Sequence, residues 1–280
     1  MAALIELRNV SYTYPLAGRP AIRNMSFALE AGGFYGIMGE NGSGKTSLCA
    51  LIRGFAPAYY RGELEGEVLI DGRPTTDYGP GELSLRTGYV FQNPFTQISG
   101  VKNTVFEEVA FGLENFGVPP GEIEERITAV METTGITALA EKNPFELSGG
   151  QQQRLALASV IVLKPDILVI DEPTSQLDPE GAESVFAIIR KMKEEKKTIV
   201  LAEHKADLLA EFADTVLVLR EGGLVRMGPP SEVLADMSLA ETGAPLPQAA
   251  LLGAELVRRG LPLGRIPVTA DALAAALENR

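Results

Sequence analysis

The sequence predicts an α/β protein: a core with a mainly parallel sheet, an N-terminal antiparallel β portion, an inserted helical subdomain and a small helical C-terminal tail. Three observations carry that expectation. Short apolar strand patterns at 34–38, 167–170 and 198–202 alternate with helical patterns, as βαβ units do. A glycine-rich segment at 39–46 stands between one of those strands and a helix. The stretch from about 92 to about 163 is helical throughout and interrupts the alternation, so it reads as an insertion.

The elements follow in order. Within 4–14, Val10, Tyr12 and Tyr14 share one strand face and Ser11 and Thr13 the other; Met25, Phe27 and Leu29 repeat the period. Ala31-Gly32-Gly33 turns the chain into strand 34–38, and 46–53 reads as a helix. Val68, Leu69 and Ile70 form a strand entering a turn at Asp71-Gly72. Val105, Val109 and Leu113 lie on one helical face. Ile123, Ile127, Val130 and Met131 form a second stripe behind the break at Pro119-Pro120-Gly121. A third helix covers 149–163. Strand 167–170, helix 180–195 with Val185, Ile188, Ile189 and Met192 inward, strand 198–202, a short helix at 207–212 and strand 215–219 resume the alternation. Residues 237–247 turn rich in Ala, Gly, Thr and Pro and read as a linker. Residues 248–280 give two short amphipathic helices, suited to packing or dimer contacts. The organisation expected is therefore a domain over 1–236, its helical insertion at about 92–163, and an appendage over 237–280.

Composition bounds the function. Hydrophobic residues make up 45% and charged residues 22% of the 280, the balance of an ordinary globular chain. The net charge is −12 and the pI about 4.7. That argues against a nucleic-acid binder, which carries a basic face, and requires any anionic ligand to be attracted by local groups. Cys49 is the only cysteine and reads as a small buried helix residue; no intramolecular disulfide is possible. The N-terminus lacks the basic-then-apolar layout of a signal peptide. The longest apolar stretch, 155–163, falls short of the roughly 20 residues that span a bilayer. A membrane role is expected to come through a partner.

The segment Gly39-Glu40-Asn41-Gly42-Ser43-Gly44-Lys45-Thr46 fits G-x4-G-K-[ST] between a strand and a helix, the context the P-loop requires. Glycines let backbone N–H groups close around phosphates, and the helix N-terminus adds partial positive charge. Lys45 supplies a full positive charge to the β- and γ-phosphates, and Thr46 offers a hydroxyl to Mg2+. Without that context the segment is only a glycine-rich turn; with it, the fold expected is a P-loop NTPase core. Asp171 and Glu172 end the buried strand at 167–170, where open α/β sheets place ligands. Asp171 is expected to hold Mg2+ through water and Glu172 to deprotonate the attacking water. Absent a P-loop they would read as two acids in a turn.

The nucleotide expected is ATP. Asp178-Pro179-Glu180-Gly181 and His204-Lys205-Ala206-Asp207 imitate two motifs of guanine-nucleotide proteins, but His204 stands where Asn is needed and Asp171-Glu172 already occupies the magnesium-side strand end. Tyr14, before Pro15, offers an aromatic face to adenine, although stacking tolerates other bases.

Leu147-Ser148-Gly149-Gly150-Gln151 opens the helix at 149–163 and makes a second anion-binding helix end. In isolation Ser148 is a simple N-cap. One nucleotide does not need two such ends from one chain, so this end is expected to serve a nucleotide held by another subunit. In their order, these residues resemble the ABC transporter ATPases over 4–235. Tyr14 matches the adenine-stacking position, 39–46 the P-loop, Gln92 the Q-loop, and 147–151 the LSGGQ signature. Residues 167–172 match the magnesium and catalytic-base strand, Ser175-Gln176-Leu177-Asp178 the D-loop, and His204 the switch histidine. The resemblance implies a head-to-tail dimer in which Ser148 and Gly150 reach the partner's γ-phosphate. It implies that Gln92 contacts Mg2+ or the water and relays nucleotide state to a membrane subunit, and that His204 contacts the γ-phosphate; for His204 the plain structural alternative is a residue in a turn. Gln176 departs from the Ala common at its position.

Phe91-Gln92-Asn93-Pro94-Phe95-Thr96-Gln97, residues 105–115 and the tail around Leu246-Pro247-Gln248 resemble ATPases of energy-coupling-factor importers of vitamins or transition metals. That resemblance implies a pair of ATPases, identical or different, on the cytoplasmic face of the membrane. A transmembrane coupling subunit and a separate substrate-capture membrane protein would be their partners, the tail would stabilise the dimer, and no nucleic acid would be involved. The alternatives are an ABC ATPase of another transporter type, a soluble ABC ATPase acting on nucleic acid or ribosomes, and a non-hydrolysing nucleotide-binding module. The acidic balance and the absence of a long coiled coil count against the second, and Glu172 and His204 against the third.

Overall fold

The computed structural model describes residues 3–79 and 81–278. The chain forms two compact units, one of Met1–Asp77 with Val200–Arg280 and one of Tyr78–Ile199.

The first unit opens with β1 (Ile5–Thr13) and β2 (Ile22–Leu29), paired antiparallel with Ile5 opposite Leu29 and Leu7 opposite Phe27. The burial period of β1 slips by one residue: Ile5, Leu7, Val10 and Tyr12 are all buried. The pairing shifts register between Leu7 and Val10, and Asn9 there takes a left-handed φ of 49°. A bulge of this kind absorbs one residue and keeps both halves of the strand facing the core. Tyr14 lies beyond the end of β1, not within it. Its carbonyl accepts from Ala17 N–H at 3.1 Å, in a turn that Pro15, with its fixed φ and missing N–H, favours. β3 (Phe34–Met38), buried along its whole length, leads through residues 39–44 to α1 (Lys45–Ile52), which buries Cys49. β4 (Glu63–Ile70) pairs antiparallel with the other edge of β1 and turns at Asp71-Gly72, both left-handed, into β5 (Arg73–Pro74). The order is β2-β1-β4-β5.

The second unit contains α2 (Glu82–Arg86), β6 (Thr87–Val90), α3 (Val105–Asn115), α4 (Pro120–Thr134), α5 (Gly149–Ile161), β7 (Ile167–Asp171) and α6 (Pro179–Glu194). β6 and β7 pair in parallel, Thr87 with Ile167 through Val90 with Ile170. The stripes read from the sequence meet in one core: Val105, Val109 and Leu113 of α3, Ile127, Val130 and Met131 of α4, and Leu155 and Ala158 of α5. Each such Val, Leu, Ile or Met side chain taken fully from water contributes about 1.5–3 kcal/mol. At the start of α3, Thr104 Oγ1 accepts from Glu107 N–H and Glu107 Oε2 accepts from Thr104 N–H, each at 3.2 Å, so two donors of the first turn find partners.

β8 (Thr198–Ala202) carries the chain back into the first unit, where α7 (Ala206–Phe212), β9 (Thr215–Arg220), β10 (Gly223–Gly228), α8 (Pro230–Val233), α9 (Gln248–Arg258) and α10 (Ala270–Glu278) follow. β9 pairs in parallel with β3. β10, which the sequence reading missed, returns antiparallel on β9. Its turn uses Glu221 at a φ of 48° where Asn or Asp is usual, and Val225 on it is exposed; the pair Gly222-Gly223 was the turn signal that could have found it. Within 237–247, Met237–Thr242 forms a 3-10 turn capped by Gly243. Leu239, Leu246, Ala250 and Leu273 bury the tail against this unit, and Asp207 of α7 accepts from the Gln248 N–H that opens α9, at 2.8 Å. Among the described residues, no helix is long and apolar enough to cross a membrane.

Candidate active site

The loop at 39–46 is shaped by close approach. A Cβ on Gly39 would collide with the Leu219 carbonyl oxygen and come within 2.6 Å of Ser43 Oγ, and one on Gly44 would come within 2.7 Å of the Ala21 carbonyl oxygen. Both glycines also have positive φ, so only glycine fits at either position. The Gly222 N–H donates to the Ser43 carbonyl at 2.9 Å, which ties the loop to the β9–β10 turn. Lys45 is 4% exposed and its ammonium donates to the Gly39 and Glu40 carbonyls at 3.1 and 3.2 Å. Ser43 Oγ is buried and has no hydrogen-bond partner. The first turn of α1 contains no acidic residue, and Gly44 provides no side-chain cap, so no side-chain anion offsets the partial positive charge of this helix start.

Two further predicted residues belong to the same unit. The Tyr14 hydroxyl lies 3.1 Å from Ser47 Oγ in α1, and the ring packs edge-on against Tyr12 with centroids 4.8 Å apart, so Tyr14 is oriented beside the helix that the loop feeds. His204 follows β8, its N–H donating to Glu203 Oε1 at 2.8 Å; the Lys205 N–H donates to the same oxygen at 3.2 Å. Glu203, 2% exposed, fixes this turn, and sequence reasoning passed over it because a single acid after a strand carries no pattern.

The second unit brings together the other set. Asp171 ends β7 at 2% exposure, and the Tyr89 hydroxyl donates to its Oδ2 at 3.2 Å. Glu172, 7% exposed, sits in the left-handed region at φ 44°. For a residue with a Cβ that conformation costs about 1–2 kcal/mol. Such cost is tolerated where the surroundings dictate the geometry. Gln92 Nε2 donates to Glu172 Oε2 at 2.9 Å and to Ser175 Oγ at 3.4 Å. Tyr89 was missed; β6 is buried at all four positions, so no alternation marks one face, and the short run Tyr89-Val90-Phe91 before Gln92 was the signal available.

The signature segment lies in the same unit. Leu147 is buried in the helical core, while Ser148 and Gly149 are exposed at the start of α5. Ser148 N–H donates to Gln151 Oε1 at 3.0 Å, so the capping alternative is partly realised through the backbone of Ser148. Asp178 caps α6, accepting from Gly181 N–H at 2.8 Å. Ser148, Gly150, Gln151, Arg154, Asp178 and Gly181 line an open cavity of about 410 Å³. Arg154 gives it a cation that the sequence reading did not single out.

A phosphate-shaped loop, a paired acidic strand end and an exposed Ser-Gly-Gly helix start on one chain form a distinctive set, and comparison with known proteins decides their origin. The sequence model of the ABC transporter family matches residues 22–175, more than half of the chain. The chain belongs to the ABC transporter family. Among the relatives of this ABC ATPase, energy-coupling factor transporter ATP-binding protein EcfA1 of Enterococcus faecalis is 39% identical over 265 residues, 93% of this chain and 92% of the relative. Among solved structures, cbiO1 from Clostridium perfringens, described as part of the ABC transporter complex cbiONQ, aligns at a TM-score of 0.75 with 30% identity, over 93% of this chain and 98% of its own. The dimeric post-hydrolysis state of the ATP-binding cassette MJ0796, bound to ADP and Pi, aligns at 0.69 with 28% identity, over 81% of this ABC ATPase and 98% of that chain. The protein is thus an enzyme that binds and hydrolyses ATP, on the α/β fold the sequence predicted.

Proposed function

We propose that this ABC ATPase powers an energy-coupling-factor type importer of a vitamin or a transition metal. It works in a pair with a second ABC ATPase, identical or different, peripherally at the cytoplasmic face of the membrane. A transmembrane coupling subunit and a substrate-capture membrane protein complete the assembly. The observation that carries this reading is the length-wide similarity to EcfA1, which extends over 93% of the chain and so reaches beyond the catalytic motifs into part of the tail.

The residues present fit a triphosphate with a divalent cation. The glycine cradle at 39–44, the buried Ser43 Oγ without a partner and the Lys45 ammonium are the donors a phosphate chain needs. Among the described residues no cluster of three or more His, Cys, Asp or Glu forms a self-sufficient metal cage. Mg2+ at a nucleotide takes few protein ligands and completes its shell with phosphate oxygens and water. Thr46 and Gln92 would hold it directly and Asp171 through water, and the ion would supply charge neutralisation on the β- and γ-phosphates.

In this reading Tyr14 stacks on adenine, and residues 39–46 bind the phosphates. Lys45 releases the Gly39 and Glu40 carbonyls to meet the β- and γ-oxygens. Glu172, oriented by Gln92, takes a proton from the attacking water as the new phosphorus–oxygen bond forms and the bond to ADP breaks. His204 contacts the γ-phosphate. Ser148 and Gly150 serve the nucleotide of the partner ATPase, with Leu147, Gly149 and Gln151 shaping that helix end and Ser175 and Asp178 facing the dimer interface.

Affinity purification from detergent-solubilised membranes tests the assembly. The expected result is recovery with an integral membrane protein. Recovery with nucleic acid or ribosomes and without a membrane partner would replace transport by the rival reading.

A further inference from the structure

The C-terminal tail meets the phosphate loop at Gly243. Gly243 ends the 3-10 turn Met237–Thr242 in the left-handed region, φ 72°, with its N–H donating to the Ala240 carbonyl at 3.1 Å. A Cβ built there would overlap Glu40 Oε1 and Cδ and come within 2.5 Å of Glu40 Cγ. The Glu40 carboxyl therefore occupies the space that any other residue at 243 would fill. Glu40 is the second residue of the loop. Its carbonyl accepts from Lys45 Nζ at 3.2 Å and from Ser43 N–H at 3.1 Å. Arg19, Glu40, Ser43, Arg220, Glu241 and Thr242 line a polar cavity of about 280 Å³ at this junction, so tail and loop share one surface.

We propose that Gly243 is a positioning residue for nucleotide binding: by lacking a side chain it seats Glu40 against the tail, and Glu40 in turn holds the loop that carries Lys45. The proposal rests on the reading of 39–46 as the triphosphate loop. Two physical points support it. A carboxylate at the second position of a loop that receives a polyanion repels it by an amount that depends on where the carboxylate sits, and the notch at Gly243 gives it a defined seat. Coupling between sites is also reciprocal, so a tail that favours the nucleotide-ready loop is itself favoured by nucleotide.

The test is equilibrium binding of a fluorescent ADP analogue, without divalent cation, to the purified full-length chain. Gly243→Ala should weaken binding about five- to tenfold, in the range usual for coupled sites. Gly260→Ala is the control: Gly260 has a comparable φ of 89° with nothing within 4 Å of a Cβ, so it imposes backbone strain without touching Glu40 and should bind as the parent does. Glu40→Ala combined with Gly243→Ala should bind no worse than Glu40→Ala alone. Amide exchange at Gly243 should slow when ADP is bound. Equal affinities of Gly243→Ala and Gly260→Ala, or strictly additive losses in the double variant, overturn the proposal. So does a double variant that fails to fold along with Gly243→Ala, since the strain would then lie in the tail itself. Recovery of folding only when Glu40 is also truncated supports it. Normal affinity in Lys45→Ala would instead refute the loop reading, and the folding comparison still judges the seat.

Discussion

Gln92 and Glu172, eighty residues apart in sequence, are joined by a 2.9 Å hydrogen bond from the amide nitrogen to the carboxylate. The bond fixes the orientation of the Glu172 carboxylate. Glu172→Gln is therefore expected to keep ATP, accumulate as a closed dimer and lose phosphate release by about 10²–10⁴-fold, the range of a positioned base. Steady-state phosphate release and gel filtration in ATP check both parts. Unchanged turnover would remove Glu172 from the role of base.

Lys45 is expected to matter before nucleotide arrives as well as after. Its buried ammonium holds two loop carbonyls. Lys45→Ala leaves both without that donor; the Glu40 carbonyl keeps the Ser43 N–H, while the buried Gly39 carbonyl loses this partner at a cost of about 1–3 kcal/mol if it stays unpaired. Thermal melting of the nucleotide-free protein should fall, and calorimetric ATP binding should be lost. A variant with normal affinity would contradict the assignment of the loop.

Ser148 is exposed at the start of α5, so Ser148→Arg should leave the fold intact. In a mixed dimer bearing one such chain, the impaired site should be the one whose P-loop belongs to the other chain. Single-turnover hydrolysis with one site further disabled by Lys45→Ala reads which site is lost. Damage confined to the substituted chain's own P-loop would refute the shared site.

Asp236 anchors the turn that ends at Gly243. Its carboxylate accepts from Ser238 Oγ at 2.6 Å and Ser238 N–H at 3.0 Å, and pairs with Arg226 at 3.0 Å. The Ser238 hydroxyl first, then the Ser238 N–H and the Arg226 charge, hold its pKa below the usual carboxylate value. Because the folded value is the lower one, the stabilisation is complete above about pH 4. It is lost as pH falls through the depressed value. Melting temperatures of the parent and Asp236→Ala should differ at neutral pH and converge below about pH 4. A gap independent of pH would refute this.

Much of the fold was legible because it repeats a local pattern. The apolar periods of α3, α4 and α6 and the continuous apolar runs of β3, β7 and β8 each state their own burial. The loop at 39–46 was legible because glycines and a lysine at fixed spacing have one mechanical use between a strand and a helix. What escaped was held by distant contacts. β10 has no apolar run of its own and exists through its pairing with β9. Tyr14 looked like strand because its period continued, but Pro15 and the turn beyond it ended the strand at Thr13.

By itself the sequence determined what local spacing dictates: a loop with the P-loop pattern between a strand and a helix, two acids at a buried strand end, and a serine with two glycines at a helix start. Only the tertiary structure decided which groups support them. Tyr89 reaches Asp171, Gln92 reaches Glu172, Glu203 fixes the His204 turn, and Gly243 makes room for Glu40. The physical reason is range. Backbone conformation and burial period are set by neighbours a few residues away, whereas hydrogen bonds and excluded volume between residues 80 or 200 positions apart exist only once the chain has closed on itself.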